Sequence, residues 1–189
     1  MKGRHNLSPK IEEILSVVAT THLDAIVGKQ TSQCFVGWQW GGRDDSFDNW
    51  LPANQPEVGS CIISALVHLG KWTLEESVRT ILNVDETADI ALLGTLLIER
   101  DYTMVLPQAE EMVKKTDSSE KTGVRFSGHG TFFFVQKKKG HVGRNPVLVG
   151  SVYRYQARNS VWVPRSRSLD DPHFWDAERR ILVPNFAAR

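Results

Sequence analysis

The chain has 189 residues, of which 41% are hydrophobic, 24% charged and 9% aromatic, and its formal net charge is +1. A chain of this length can bury a core without disulfides, and the composition excludes a largely disordered, collagen-like or coiled-coil protein. The longest nearly apolar run, 90–98, falls well short of the ~20 residues of a membrane helix, so no membrane partner is expected.

Ser8-Pro9 reads as an N-cap serine with proline at the first helical position. Ile11, Ile14, Leu15, Val18 and Ile26 then supply an apolar stripe that Gly28 ends, which predicts a first helix. Residues 30–60 are loop-rich and aromatic, with Trp38, Trp40 and Trp50 among glycines and prolines and a short strand at 34–36. A second helix is expected from Cys61, where Ile62, Ile63, Ala65, Leu66 and Leu69 are apolar around most of the circumference before Gly70. Thr73 to Glu76 forms a capping box that opens a helix to about Leu82. Further elements are a helix over 87–100, a strand over 102–106 and a short helix over 109–115.

After Asp117 the pattern changes to strands: 124–127, 131–136, 147–156, 160–163 and 180–183, with a basic turn at 137–145. Helices first and sheet second predicts an α+β fold. A helical lobe over 1–117 would carry the tryptophan-rich loop, followed by an antiparallel β lobe over 118–189, the two making one domain.

Charge divides unevenly along the chain. Residues 1–90 hold 7 Lys and Arg against 12 Asp and Glu, whereas residues 91–189 hold 16 against 10. Ten basic residues and no acidic one lie from Lys121 to Leu169. Such a stretch attracts an anionic partner, or faces the acidic half of its own chain. Its aromatics, Phe126, Phe132–Phe134, Tyr153, Tyr155 and Trp162, make nucleic-acid binding an alternative, although three consecutive phenylalanines must alternate across both faces of a strand.

The two cysteines, Cys34 and Cys61, make no disulfide framework, and the N-terminal residues do not read as a signal peptide. A cytoplasmic location is expected, in a host's cytoplasm if the chain is viral or an effector. Cys61 follows Gly59-Ser60 where a loop gives way to the expected buried helix. A helix N-terminus lowers a thiol pKa, and small residues such as Gly59 leave room for a substrate backbone. The same cysteine also suits a core position, because free cysteine packs as a small hydrophobe.

Asn54-Gln55, three residues, then Gly59-Ser60-Cys61 resembles the nucleophile segment of papain-like cysteine peptidases, and Asp48-Asn49-Trp50 resembles the Asp-Trp upstream of it. Ile62 stands where the family usually has an aromatic residue, and the family's additional upstream cysteine is absent. The resemblance implies a papain-like fold, Cys61 as nucleophile and Gln55 as oxyanion donor, a role worth ~2.7–4 kcal/mol in comparable sites.

The resemblance also implies a histidine at the start of a strand. His129 precedes Thr131 to Val135 in that way and ranks ahead of His173 and His141. Asn159, in Asn-Ser-Val-Trp, resembles the family's orienting asparagine but also suits a hairpin turn. Asn145, Asp170 and Asp171 are alternatives for that role.

The expected function is therefore hydrolysis of a peptide or isopeptide bond by a thiolate, on a protein or peptide substrate, with Trp38, Trp40 or Trp50 lining the cleft. Transfer of the acyl group to an amine is a variant of the same chemistry. No cofactor is expected, and no metal site, because Cys-x-x-Cys and His-Glu-x-x-His spacings are absent. The alternative from a different class is a non-catalytic module that binds a host or partner protein.

Overall fold

A computed structural model describes residues 15–23, 61–104, 130–137, 145–155 and 161–184. The described elements are, in chain order, β1 (Leu15–Leu23), β2 (Cys61–His68), α1 (Leu74–Leu82), α2 (Ile90–Glu99), β3 (Thr131–Gln136), β4 (Val147–Tyr155), β5 (Val161–Arg167) and β6 (Arg180–Pro184). The strands form one sheet in the order β1-β2-β6-β3-β4-β5. Neighbours are antiparallel except β3 and β6, which run parallel. The class is α+β.

The second half of the chain follows its pattern. The expected strands at 131–136, 147–156, 160–163 and 180–183 are β3 to β6, with β5 extending to Arg167. The capping box forms as expected: Glu76 N donates to Thr73 Oγ1 at 3.2 Å, and Thr73 N donates to Glu76 Oε2 at 2.6 Å. The helix expected over 87–100 is α2, capped by Asp89, whose carboxylate accepts from Leu92 N at 2.8 Å. Of the strand expected over 102–106, the described residues 102–104 include a bridge of Thr103 to Phe134, with Met104 N donating to the Phe134 carbonyl at 2.7 Å. The elements expected at 34–36, 109–115 and 124–127 lie outside the described residues.

Two expected helices are strands. Residues 15–23 fall within the predicted first helix, yet form β1, and the predicted buried helix from Cys61 is β2. The reason is the same in both. Val17, Val18, Thr20 and Thr21 in one, and Ile62, Ile63 and Val67 in the other, are β-branched, stiff at χ1 and suited to a pleated surface. In β2 the run is also apolar on nearly every side, which suits a strand buried on both faces as well as a buried helix, whereas β1 exposes Val17 and Thr20. Since β1 and β2 join the same sheet as β3 to β6, the expected succession of a helical lobe and a sheet lobe does not describe this arrangement.

Alternation along the strands creates two buried faces. Leu66, Phe132, Phe134, Val147, Val149, Ile181 and Val183 face α1 and α2 and form one cluster with Val78, Ile81, Leu82, Leu93 and Leu97. Ile63, Ala65, Phe133, Val135, Leu148 and Leu182 point the other way and are also buried. Full burial of such side chains stabilises by roughly 1.5–3 kcal/mol each. Phe132, Phe133 and Phe134 are therefore core, and none of the three is available to stack on a base.

Two glycines permit close approaches. A Cβ at Gly150 would stand 2.6 Å from the Phe133 ring, and one at Gly94 would overlap Asn145 and lie 2.7 Å from Pro146 Cδ. Gly94 thus lets α2 press against the start of β4.

Candidate functional site

The strand register fixes where Cys61 stands relative to the start of β3. Cys61 is the first residue of β2 and pairs with Leu23. Val67 pairs with Arg180, and Arg180 with Thr131 at the start of β3. Cys61 and Thr131 are thus offset by six residues of strand, about 20 Å at ~3.3 Å per residue. Thr131 and Gly130 thus stand at the end of the sheet remote from Cys61.

β4 reaches the same remote end, where Tyr155 pairs with Val161. His173 is there too, because Trp175 bridges Trp72, four residues beyond the last residue of β2. Gln136 at the end of β3 and Val147 at the start of β4 instead stand at the end shared with Cys61. Cys61 heads a strand and so has no helix N-terminus behind it. The predicted site residues Trp38, Trp40, Trp50, Gln55, Gly59, His129 and Asn159 all lie outside the described residues, as does His141.

The end of the sheet remote from Cys61 holds a different constellation, built on the passage from β2 to α1. β2 closes on His68, the chain turns through Leu69, Gly70 and Lys71, and Trp72 pairs with Trp175 before Thr73 caps α1. The two tryptophans exchange backbone hydrogen bonds, Trp72 N to the Trp175 carbonyl at 3.0 Å and Trp175 N to the Trp72 carbonyl at 2.7 Å. Trp72 Nε1 donates to the Asp176 carbonyl at 3.1 Å.

The rings continue this clip into the core. Trp72 meets Phe132 edge-on with centroids 6.0 Å apart, and Phe132 meets Trp175 at 4.9 Å. The guanidinium carbons of Arg167 and Arg179 lie 4.7 and 5.1 Å from the Trp175 ring centroid, and the His173 ring lies 4.3 Å away. Arg167 donates to Asp171 Oδ2 at 2.8 Å, and His173 N donates to Asp171 Oδ1 at 3.0 Å. Burial pushes the Asp171 carboxyl up, but these bonds and the charges of Arg167 and His173 outweigh it and hold it below its usual range.

Beside this clip opens a cleft of about 810 Å³, lined by His68 to Trp72, by Glu75, Glu76, Arg79 and Thr80 of α1, and by 83–86 beyond it. The volume lies within the ~300–1,000 Å³ of ligand sites. His68 is 7% exposed and stacks on Trp72 at 5.1 Å and 15°. Its Nε2 is buried and has no hydrogen-bond partner among the described residues, which costs about 1–3 kcal/mol if left so. Burial lowers the His68 pKa from 6.5 to about 4 against the opposing charge of Glu76, so at neutral pH the imidazole is uncharged.

Arg79 is engaged at all three nitrogens, through Nε at 3.1 Å and Nη2 at 2.5 Å to Glu75 Oε1 and through Nη1 at 2.7 Å to the Asp85 carbonyl. Asn83 closes α1 in the left-handed region at φ 52°, a conformation asparagine tolerates. With Glu75 and Arg79 cancelling each other, Lys71 faces Glu76, Asp85 and Glu86, and the cleft is net negative.

Sequence reasoning missed this site. Its one signal is a histidine closing an otherwise apolar run, followed by the polar turn Leu-Gly-Lys-Trp and a capping box. Among the described residues no group of three or more His, Cys, Asp or Glu side chains is arranged to hold a metal, and no helix is long and apolar enough to cross a membrane. No family model, curated protein or solved structure matches the chain.

Proposed function

We propose that the chain is a non-catalytic partner-binding module whose recognition surface is the end of the sheet where β2 meets α1. The observation that carries this reading is the exposure of Leu69 and Phe174, at 68% and 62%. They stand on the two segments that the Trp72–Trp175 hydrogen bonds clip together. Apolar side chains presented on a held backbone lose little entropy on docking, and a few such anchors carry most of the binding free energy at an interface. The cleft adjoins Leu69, so anchor and cavity form one surface.

A second reading keeps the thiol hydrolase, with His141 in place of His129 as the base. What supports it is that Gln136 and Val147, which flank the segment carrying His141 in sequence, stand at the Cys61 end of the sheet.

Alkylation kinetics of the folded protein at neutral pH distinguish the readings. The module reading expects Cys61 to react no faster than free cysteine, with His129→Ala, His141→Ala and His173→Ala leaving the rate unchanged. Fast, selective labelling of Cys61 that His141→Ala abolishes would replace it with the second reading. Abolition by His129→Ala would restore the papain-like assignment.

A further inference from the structure

We infer that His68 makes this end of the sheet an acid-operated latch: protonating its imidazole opens the turn 69–71 and parts Trp72 from Trp175, while the strand ladders stay paired. The opening stands by itself, and only its consequence for a partner rests on the partner-binding reading.

The geometry leaves no place for a second ring proton. His68 is more than nine-tenths buried and lies flat against Trp72, and its Nε2 is sealed from solvent with no hydrogen-bond partner among the described residues. In an imidazolium both ring nitrogens carry hydrogen, so Nε2 becomes a buried donor without an acceptor on a ring that is now charged. Glu76 is the carboxylate whose charge acts on His68, but its Oε2 accepts from Thr73 N and Thr73 Oγ1 in the capping box. Drawing it to the imidazolium gives up the cap of α1. Opening the turn instead brings the ring to water.

The position of His68 keeps the opening local. It lies one residue past Val67, the last residue of β2 that pairs with β6, and it makes the end pair of β2 with β1. The Trp72–Trp175 bridge lies outside the strands. Opening breaks the two backbone bonds of the clip and the Trp72 Nε1 bond to Asp176, and leaves the β2–β6 pairs intact. Leu69 stands on the turn and Phe174 beside Trp175. Parting the tryptophans therefore separates these two exposed side chains, and acid releases a partner that docks on both.

Lys71, Glu75, Glu76, Arg79, Asp85 and Glu86 line the cleft with His68. Arg167, His173 and Arg179 surround Trp175. All are retained in His68→Phe, so comparison with the parent isolates one imidazole. His173→Gln is the control for the second.

Hydrogen exchange of the full chain, followed by nuclear magnetic resonance at pH 7.5 and 5 and at several urea concentrations below unfolding, tests this. Protection is corrected for the intrinsic exchange rate at each pH. The opened turn takes up a proton near pH 6.5 and the closed one near 4, so opening gains about thirtyfold between the two conditions. The Trp72 and Trp175 amides are expected to lose protection by that factor, with little dependence on urea. Amides of β3 and β4 exchange through a rarer opening that urea promotes strongly. His68→Phe is expected to abolish the pH response of the two tryptophans, and His173→Gln to keep it.

A change below about threefold at both tryptophans overturns the inference. So does exchange at pH 5 with the same free energy and urea dependence as β3 and β4, which would make the opening global. A response kept in His68→Phe or lost in His173→Gln also overturns it. Should His68→Phe not fold, the ring-proton shift of His68 in the parent decides, and protonation near pH 6.5 in the closed protein overturns the inference. Failure here with an unreactive Cys61 removes the latch and leaves the partner-binding reading. An activated Cys61 removes that reading and leaves the opening.

Discussion

Replacing Trp72 by alanine is expected to destabilise the fold by about 3–5 kcal/mol, the range of buried aromatic truncations. Trp72 is 1% exposed, sits in the cluster shared by sheet and helices, and contacts both His68 and Phe132. Its indole N–H also satisfies the Asp176 carbonyl. In urea the midpoint should fall while the slope stays that of the parent, since the surface exposed on unfolding barely changes. In a chain of this size a loss of that order lowers the melting temperature by about 10–15 °C. Trp72→Phe keeps the stacked and edge-on contacts but loses the bond to Asp176, and should cost nearer ~1 kcal/mol beyond the lost ring volume. A Trp72→Ala loss below about 1 kcal/mol would mean that the clip between 72 and 175 is not what holds this end of the sheet.

The second large effect is an acid-labile window set by His68. In the unfolded chain its imidazole takes up a proton near pH 6.5, whereas in the folded chain burial delays this to about pH 4. Above pH 6.5 both states are neutral and His68 adds no pH dependence. Between 6.5 and about 4 the unfolded state binds a proton that the folded state does not, so stability falls as the pH falls. Below about 4 both states are protonated and the slope ends. At ~1.36 kcal/mol per pH unit the full gap corresponds to about 3 kcal/mol, and water in the cleft reduces this to about 2–3 kcal/mol.

His68→Phe preserves the stack on Trp72 and removes the titration. Lys71, Glu75, Glu76, Arg79, Asp85 and Glu86, the charged groups around the cleft, are common to both proteins, so the difference between them isolates the imidazole. Asp85 and Asp171, whose carboxyls are held below their usual range, lose their contribution only at lower pH. Urea denaturation at half-unit intervals from pH 7.5 to 4 should show the two curves running parallel above pH 6.5, and the parent losing stability relative to His68→Phe as the pH falls from 6.5 to about 4. Parallel curves across the whole range would contradict a buried neutral His68.

The sequence conveys the helices and the later strands because local signals and tertiary context agree there. Thr73 and Glu76 satisfy each other's backbone amides wherever the chain places them, so the start of α1 is legible from four residues. Thr131 to Gln136 is bounded by glycine and basic turns and has no competing helical stripe. Cys61 to His68 and Leu15 to Leu23 fail for the opposite reason. The run at Cys61 satisfies both periods and the β-branched residues of 15–23 compete with a helical stripe, so pairing with strands far away in the chain decides, β1 and β6 for β2 and β2 for β1.

That single ambiguity governs the functional reading as well. A helix at Cys61 would give the thiol a dipole and, with the family resemblance, a catalytic role. A strand removes the dipole, and its register sets Cys61 about 20 Å from the start of β3. His68 escapes notice in the sequence because a lone histidine in an apolar run reads as core. Its meaning depends on a cleft assembled from residues up to eighteen positions later, through Glu86.

The most direct test of the partner-binding surface is site-specific photo-cross-linking in the cells from which the protein comes. A photo-activatable phenylalanine analogue replaces Leu69, Phe174 or, as a control on the exposed side of α2, Leu92. The account expects one and the same discrete adduct from positions 69 and 174, none from 92, and the same adduct when Cys61→Ala is added. Absence of a discrete adduct at both 69 and 174, or an adduct that disappears with Cys61→Ala, would contradict it.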